Sequence, residues 1–301
     1  MRFLLVFCVL ALARAWAPAK LGSGLRRVAA GACVAAGLCI QPCLAAPEGS
    51  VVVLGASGKT GAQVVTLLAA QGVKVQPAYA RETANRFPGV ANVYPPLVAD
   101  VTKPESLTSA LAGAKAVVFA ASASNKGGNA EAVDFKGVAN TAQAAVADKV
   151  PQLVVISSAA VTRPDSLGYK ITNLFGGIMS YKIQGENALR TTYDQPGAEK
   201  LSYAIIRPGG LLDGQAVGAK SIELNQGDSI AGEVNRADVA EAAAAAAISQ
   251  TIPARVTFEM SETGRTGPLE GGLKSKSGYE QSGKDSYDEL FKNLKPNFNR
   301  L

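Results

Sequence analysis

From about residue 50 to residue 262, short apolar runs alternate with longer segments in which apolar residues recur every three or four positions. The apolar runs occupy residues 51–55, 73–80, 92–100, 114–120, 152–159, 201–210 and 254–260. Such runs are typical of strands that a parallel sheet buries on both faces. The segments between them have helical periodicity, most clearly at 59–72, 103–113, 131–148 and 235–250. The alternation predicts an α/β fold, a doubly wound parallel sheet with helices on both faces.

Glycine, proline and asparagine mark the ends of several of these elements. Gly72 closes the first helix, and Pro104 stands in the first turn of the second. Asn235 is the predicted N-cap of the helix over 235–250. Pro95 and Pro96 interrupt the third apolar run, which therefore belongs near a sheet edge.

The composition changes after Glu262, and the main domain is predicted to cover residues 47–262. The following stretch is rich in Gly and Ser, as flexible segments are. Residues 287–294 have the pattern of one short amphipathic helix. Residues 263–301 are therefore predicted to form a flexible C-terminal extension that contains this helix.

The first 46 residues have the character of a cleavable targeting presequence. Residues 1–15 join a basic residue, an apolar run and a small-residue end, as secretory signals do. A second apolar run, 28–46, follows the twin arginine Arg26 and Arg27 and is weak for a membrane span. The arrangement, with Trp16 after the first cleavage site, resembles the multi-part presequences of algae with complex plastids. It predicts delivery to the plastid, either to the thylakoid lumen or to the stroma. There are two alternatives: an ordinary signal peptide followed by a linker, or a membrane anchor that is retained.

Charge and residue usage exclude several classes of function. The presequence holds five basic residues and no acid, which leaves 25 basic and 24 acidic residues in the remainder. A nearly neutral domain lacks the basic patch that nucleic-acid binding needs. From residue 47 onward the chain has neither Cys nor His. It therefore cannot build a disulfide, a thiolate nucleophile, a soft-metal site or a Ser-His-Asp triad, and no metal site is predicted.

A glycine-rich loop follows the first strand and opens the first helix. Its glycines have the spacing G-x-x-G-x-x-G, with Gly55 for the tight turn, Gly58 for close approach of a pyrophosphate and Gly61 for helix–strand packing. A Walker A loop would need Gly at position 53, where Val53 stands. A glycine-rich turn without a ligand is the other alternative. The predicted dinucleotide-binding residues here are Gly55, Ser57, Gly58, Lys59, Thr60 and Gly61.

The end of the second strand favours NADP(H) over NAD(H). An NAD site places Asp or Glu there to accept from the ribose 2′-hydroxyl. The run 73–81 contains no carboxylate and ends in Arg81, and Lys59 adds a second cation. Two cations suit a 2′-phosphate. A solvated surface arginine is the alternative for Arg81 alone.

Several stretches, taken together and in order, resemble a known superfamily. They are GASGKTG (55–61), ADVTKPESL (99–107), FAASAS (119–124), AVDFKGVANTAQAA (132–145), VVISSAAV (154–161), YAIIRPGGLLDG (203–214) and VNRADVAEAAAAA (234–246). Over about residues 50–260 the chain resembles the atypical short-chain dehydrogenase/reductase superfamily, in particular its NAD(P)H-binding, NmrA-like branch of plastid type.

The resemblance implies a Rossmann fold and further contacts with the dinucleotide. It implies Asp100 and Val101 beside the adenine, and Ala120, Ala121 and Ser122 along the cofactor. It also implies Pro208 and Gly209 near the nicotinamide.

In catalytic members of the superfamily, a Tyr and a Lys four residues apart share one helix face. The phenol donates a proton to the substrate carbonyl, the Lys binds the nicotinamide ribose, and a Ser at the end of strand five positions the carbonyl. Lys182 matches the Lys of that helix, and Ser158, with its neighbour Ser157, matches the strand end. Ile178 stands four residues before Lys182, and it cannot donate a proton. The candidate catalytic residues are Ser158, Tyr181 and Lys182, with Tyr169 or water as alternative proton donors.

Two functional hypotheses follow. The first is an NADPH-dependent reductase of a small carbonyl or quinone-like substrate. The second is a non-catalytic NADP(H)-binding protein that senses redox state or assists assembly of a plastid protein complex. Other chemistries on the same fold, such as epimerisation, remain open.

Overall fold

The computed structural model of this chain describes residues 45–123, 128–174, 176–268 and 281–296. Apart from Ala45 and Ala46, the predicted presequence lies outside the described residues, and so do residues 269–280, half of the Gly- and Ser-rich stretch after Glu262. Plastid targeting therefore stays a prediction. Within the described residues, no helix is both long and apolar enough to cross a bilayer.

The strands appear where the apolar runs predict them, with additional short strands in the C-terminal half. In chain order they are β1 (Val51–Leu54), β2 (Val75–Tyr79), β3 (Leu97–Val98), β4 (Ala116–Phe119), β5 (Gln152–Ile156), β6 (Ser202–Pro208), β7 (Gly210–Leu212), β8 (Ile222–Asn225), β9 (Ile230–Ala231), β10 (Glu233–Asn235), β11 (Val256–Glu262), β12 (Gly267–Pro268) and β13 (Gln281–Ser282). Over the described residues, nine of them form one sheet in the order β13-β8-β11-β6-β5-β4-β1-β2-β3. Two small sheets, β10 with β7 and β12 with β9, stand beside it.

The helices fill the segments between the strands. They are α1 (Lys59–Ala70), α2 (Pro104–Leu111), α3 (Val138–Ala147), α4 (Leu167–Asn173), α5 (Ile178–Tyr193), α6 (Arg236–Ile248) and α7 (Tyr287–Phe291). A π-helical segment, Glu131–Gly137, runs directly into α3, and a 3₁₀ turn, Ala219–Ser221, precedes β8.

The central strands have the order of a doubly wound sheet. β1 lies between β2 and β4 and pairs in parallel with both, so that Val51 is opposite Val75 on one side and Ala116 on the other. The chain therefore winds outward in both directions from the gap between β1 and β4. Ligands of such sheets bind at the carboxyl ends of the strands at this switch point. The predicted Rossmann fold is confirmed.

Both faces of the sheet are buried, which explains the continuous apolar runs. Val51 and Val53 face a core shared with α1, α6 and α7, whereas Val52 and Leu54 face a core shared with α2, α3 and α5. At the C-terminal end, Leu290 and Phe291 of α7 are fully buried against the first of these cores.

Two elements differ in detail from the sequence-based prediction. The helix predicted over 131–148 begins with the π-helical segment instead of regular α-helix. Asn235 does occupy the N-cap position of α6, but its side chain does not cap the helix. Its Oδ1 atom accepts from the amide of Gly214 at 2.9 Å, and its Nδ2 donates to Glu262 Oε1 at 2.6 Å. Asn235 thus links the loop after β7 to the end of β11.

Candidate functional site

The glycine loop between β1 and α1 brings three backbone segments close together. Gly55 has φ +78°, and a Cβ atom on it would lie 2.7 Å from the amide nitrogen of Ala121. A Cβ on Gly61 would lie 2.4 Å from the carbonyl oxygen of Gly55. A Cβ on Gly58 would meet only that carbonyl oxygen, at 3.2 Å, and would otherwise project into open space. Gly58 therefore leaves room before the N-terminus of α1, whose backbone N–H groups suit a pyrophosphate.

Lys59, the first residue of α1, connects this loop to the C-terminal half of the chain. Its Nζ lies 2.7 Å from Asp213 Oδ2, and Arg236 at the start of α6 binds the other oxygen of the same carboxylate. The hydrogen bond from Lys59, supported by the charge of Arg236, holds the pKa of Asp213 below its usual range. Ser57 is exposed in the loop, and Thr60 is half-buried in the first turn of α1.

The loop after β2 carries two arginines, and only the first was predicted to bind cofactor. Arg81 is exposed at the start of this loop. Arg86 lies further along, where its guanidinium donates to the carbonyl oxygen of Ser57 in the glycine loop. Its backbone amide donates to the Tyr79 hydroxyl at 3.3 Å, and the adjacent Phe87 is buried. Arg86 is thereby held beside the glycine loop, where a dinucleotide phosphate would lie.

The residues predicted beside the adenine lie at the end of β3. Asp100 Oδ1 accepts from the amide and the hydroxyl of Thr102, at 3.0 and 2.7 Å, and so closes the turn that leads into α2. Val101 is buried and packs closely on Gly137 in the π-helical segment. Both residues are at the carboxyl edge of the sheet, on the side of the glycine loop.

The residues predicted along the cofactor and near the nicotinamide lie at the same edge. Ala120 and Ala121 follow β4 and are half-buried. Pro208 ends β6, and its carbonyl oxygen accepts from the amide of Ala159, 2.9 Å away. A Cβ on Gly209 would lie 2.2 Å from the carbonyl oxygen of Gly232, so only Gly fits there.

Lys182 on α5 points into this region and forms a buried ion pair. Its Nζ lies 2.8 Å from Oδ1 of Asp134, a side chain of the π-helical segment that is 1% exposed. The same oxygen accepts from the hydroxyl of Ser122 at 2.7 Å, and Oδ2 accepts from the amide of Ala123 at 2.8 Å. The Lys182 side chain is 12% exposed, and it lines the crevice at the carboxyl ends of the strands.

The serine pair at the end of β5 divides its roles. Ser157 is buried, and its hydroxyl donates to Glu186 Oε1 at 2.6 Å. Burial alone would raise the pKa of Glu186, but the charges and hydrogen bonds of Arg207, aided by Arg190 and Ser157, hold it below its usual range. The hydroxyl proton of Ser157 is therefore directed at a carboxylate. Ser158 is half-buried and donates to the carbonyl oxygen of Ala159 at 3.1 Å.

A buried cluster of charges lies behind Ser157. Arg207 has no solvent exposure and binds Glu186 at 2.6 Å and Glu259 at 3.1 Å. Asp228 lies 4.0 Å from the same guanidinium and accepts from the amides of Ala160 and Thr162. Arg190 completes the cluster with an ion pair to Glu186 at 2.9 Å. The cluster fixes the end of β6 and the loop after β5, which form one wall of the crevice.

A small cavity at the carboxyl edge joins several of these groups. Its polar lining consists of Asp134, Ser157, Lys182 and Glu186, and its apolar lining of Phe119, Val138, Val155 and Ile156. Among the described residues, no three His, Cys, Asp or Glu side chains are placed to hold a metal ion.

Tyr181 does not share this cavity with Lys182. Its ring packs against Gly177 at the N-terminus of α5. Ile178, at the position of the family's proton donor, packs on an apolar cluster with Val161 and Met179. The hydroxyl of Tyr169, on the same cluster, is 2.8 Å from Ser180 Oγ.

Residues 55–250, about two thirds of the chain, match the family described as NAD(P)H-binding. This chain belongs to that NAD(P)H-binding family. The predicted resemblance to the NAD(P)H-binding branch of the atypical short-chain dehydrogenase/reductases is thereby confirmed, whereas its plastid type stays a prediction. No curated protein matches the chain significantly.

Solved structures with the same fold include three oxidoreductases of low sequence identity. The oxidoreductase YlbE from Lactococcus lactis is 19% identical with a TM-score of 0.58, and the match covers 71% of this chain and 90% of that one. A short-chain dehydrogenase/reductase from Veillonella parvula in complex with NADP is 19% identical with a TM-score of 0.55, covering 76% and 100%. The anaerobillin reductase ChuY from Escherichia coli O157:H7 is 22% identical with a TM-score of 0.52, covering 71% and 97%.

Three residues of this candidate site were not predicted from the sequence: Arg86, Asp134 and Glu186. For Arg86 a signal exists, because the apolar Phe87 beside it can anchor the loop. The sequence gives no partner for the other two, since Asp134 is 48 residues from Lys182 and Glu186 is 21 residues from Arg207.

Proposed function

We propose that this protein binds NADP(H) and reduces a quinone-like acceptor. The observation that supports this most directly is a contrast within the site. The glycine loop 55–61 and Lys182 are placed to hold a dinucleotide, whereas Ile178 occupies the position of the proton donor. A bound dinucleotide would supply the hydride. A quinone is a suitable acceptor because its reduced oxygens can take their protons from water.

The side chains in the crevice fit this division of work. An ammonium has three N–H donors, and Asp134 accepts one from Lys182, which leaves two for the hydroxyls of a ribose. The Ser157 hydroxyl donates its hydrogen bond to Glu186, so only its lone pairs are left for a group in the crevice. A carbonyl substrate that needs a positioned acid finds none in Ser157 or Ile178.

The preference for NADP(H) is supported by the loop after β2. Arg81 and Arg86 are cations on the adenosine side of the glycine loop, and Arg86 already contacts the carbonyl of Ser57. A 2′-phosphate would find two guanidinium groups there. We expect NADPH to bind more tightly than NADH, and Arg86→Gln to reduce the difference.

The second hypothesis, a non-catalytic NADP(H)-binding protein of redox sensing or assembly, is favoured by the position of Tyr181. Its ring contacts Gly177 and it is not among the residues that line the cavity, so it does not supply the missing acid there. Dinucleotide binding does not require a proton donor, so a site that lacks one can still bind the dinucleotide.

The experiment is a fluorescence titration of the purified protein with NADPH and NADH, followed by an NADPH oxidation assay with simple benzoquinones and small aldehydes. Oxidation by quinones, unaffected by Tyr181→Phe, supports the reductase. Binding without turnover supports the second hypothesis. If neither dinucleotide binds at micromolar concentration, both hypotheses are wrong.

A further inference from the structure

Direct contact with a dinucleotide does not explain why the carboxylate of Asp134 is buried, because the hydrogen-bond donors around it are groups of the protein itself. It accepts from Lys182, from the hydroxyl of Ser122 and from the amide of Ala123. A carboxylate that is 1% exposed is costly to bury unless such partners satisfy it. The three partners come from α5 and from the loop after β4, which are otherwise separate walls of the crevice.

The backbone around Asp134 is built for this close approach. Asp134 lies in the middle of the π-helical segment, a form that is rare and concentrated at functional sites. A Cβ atom on Gly185 would lie 2.3 Å from the carbonyl oxygen of Asp134, so the backbones of α5 and the π-helical segment are in direct contact. Gly185 is three residues from Lys182, on the same side of α5, and its small size lets the ammonium reach the carboxylate.

From this geometry we infer that Asp134 is a positioning residue, which holds Lys182 and the Ser122–Ala123 loop in one arrangement for the ribose next to the nicotinamide. The inference rests on the proposed dinucleotide binding. Asp134 makes its contacts through protein groups and does not itself need to touch the dinucleotide. Its effect is to fix the ammonium of Lys182, so that binding does not have to order a free lysine side chain.

The same segment provides a matched control. Glu131 and Lys136 form an ion pair of 2.7 Å on the π-helical segment, but their side chains are 42% and 60% exposed, against 1% for Asp134. Glu131→Gln removes a carboxylate from the same helical turn without touching Lys182. Exposed pairs contribute little to stability or binding.

The test separates the two halves of the dinucleotide. NADPH carries the nicotinamide ribose, whereas ADP carries only the adenosine half, so their dissociation constants are measured side by side by calorimetry for each variant. We expect Asp134→Asn to weaken NADPH binding about tenfold and to leave ADP binding unchanged. Glu131→Gln should change neither. A general disturbance of the fold would weaken both ligands.

A double-mutant cycle completes the test. Lys182→Met should weaken NADPH binding, and adding Asp134→Asn to it should cause a much smaller loss than Asp134→Asn causes alone, because the carboxylate acts mainly through the lysine and otherwise only holds the Ser122–Ala123 loop. The double variant also removes the buried charge pair as a unit, so it keeps a folded reference if Asp134→Asn alone unfolds. Additive losses, equal losses for ADP, or unchanged NADPH binding by Asp134→Asn would each overturn the inference. Failure of the parent protein to bind NADPH would instead refute the proposed function.

Discussion

Gly185 should be a position where adding a single methyl group destabilises the protein, although it lies inside a helix. An alanine normally stabilises a helix interior by about 1 kcal/mol relative to glycine. At Gly185 the new Cβ would lie 2.3 Å from the carbonyl oxygen of Asp134, which is backbone and cannot rotate away. Relief of the overlap requires α5 to move away from the π-helical segment by about 1 Å, and overpacking of this kind costs about 1–3 kcal/mol.

The overpacking cost of about 1–3 kcal/mol, less the helix gain of about 1 kcal/mol, leaves an expected net loss of up to about 2 kcal/mol in the free energy of unfolding for Gly185→Ala. Gly168 is the matched control, because it lies in α4 and a Cβ there would meet no atom within 4 Å. Gly168→Ala should raise the stability by about 0.5 kcal/mol, since only the backbone entropy of the unfolded chain changes.

The measurement is equilibrium unfolding in urea, followed by far-ultraviolet circular dichroism, for the parent and both variants. With equal slopes, the midpoints report the stability change directly. A Gly185→Ala variant more stable than the parent, by as much as Gly168→Ala is, would show that α5 can shift at no cost and that the contact with Asp134 is not tight. Loss of stability in Gly168→Ala would show that the substitution itself, not the overlap, is harmful.

Burial, helped by Asp228 and opposed by Arg207, raises the pKa of Glu259 from 4.5 to about 7. The folded state then holds the proton more tightly than the unfolded state, so the contribution of Glu259 to stability declines as pH rises between these two pKa values. The free energy of unfolding of Glu259→Gln, measured in urea titrations, should therefore rise by about 3 kcal/mol relative to that of the parent between about pH 5 and pH 8. A difference that stays constant with pH would contradict this. Glu186→Gln should cost about 3 kcal/mol or more at neutral pH, because Arg207 keeps its charge without its main partner, and a loss below about 1 kcal/mol would show that the cluster tolerates an unpaired charge. Gly58→Val should leave the circular dichroism spectrum unchanged and weaken NADPH at least about tenfold, because the side chain fills the pyrophosphate space; unaltered affinity would place the pyrophosphate elsewhere.

The parts of the fold that could be predicted are those that one local pattern determines. β1 and β4 are fully buried strands, and their apolar runs have no other interpretation at that length. The glycine loop could be predicted equally well, because the spacing of Gly55, Gly58 and Gly61 follows from a separate steric requirement at each position. The doubly wound order then follows from strand–helix alternation.

The parts that could not be predicted depend on contacts between distant segments. The sequence over 131–148 has ordinary helical periodicity, and its π-helical start is associated with the packing of Gly185 on Asp134. Asn235 has the type of an N-cap residue, but Gly214 and Glu262 offer its side chain stronger partners. The surroundings of Tyr181 were also open, because the position of its ring beside Gly177, away from the cavity that Lys182 lines, depends on how α5 packs.

The two ends of the large sheet bear on how the protein behaves at high concentration. In the part of the chain that the structure describes, β3 and β13 close the sheet, and each has only two residues. Pro95 and Pro96 precede β3 and have no N–H group to offer an incoming strand. The long, aliphatic strands lie in the middle, where no second molecule can reach their backbone. We therefore expect the folded protein to resist aggregation by edge-to-edge strand pairing. Soluble protein that is lost on storage should be lost through partly unfolded molecules, in which the central strands are exposed.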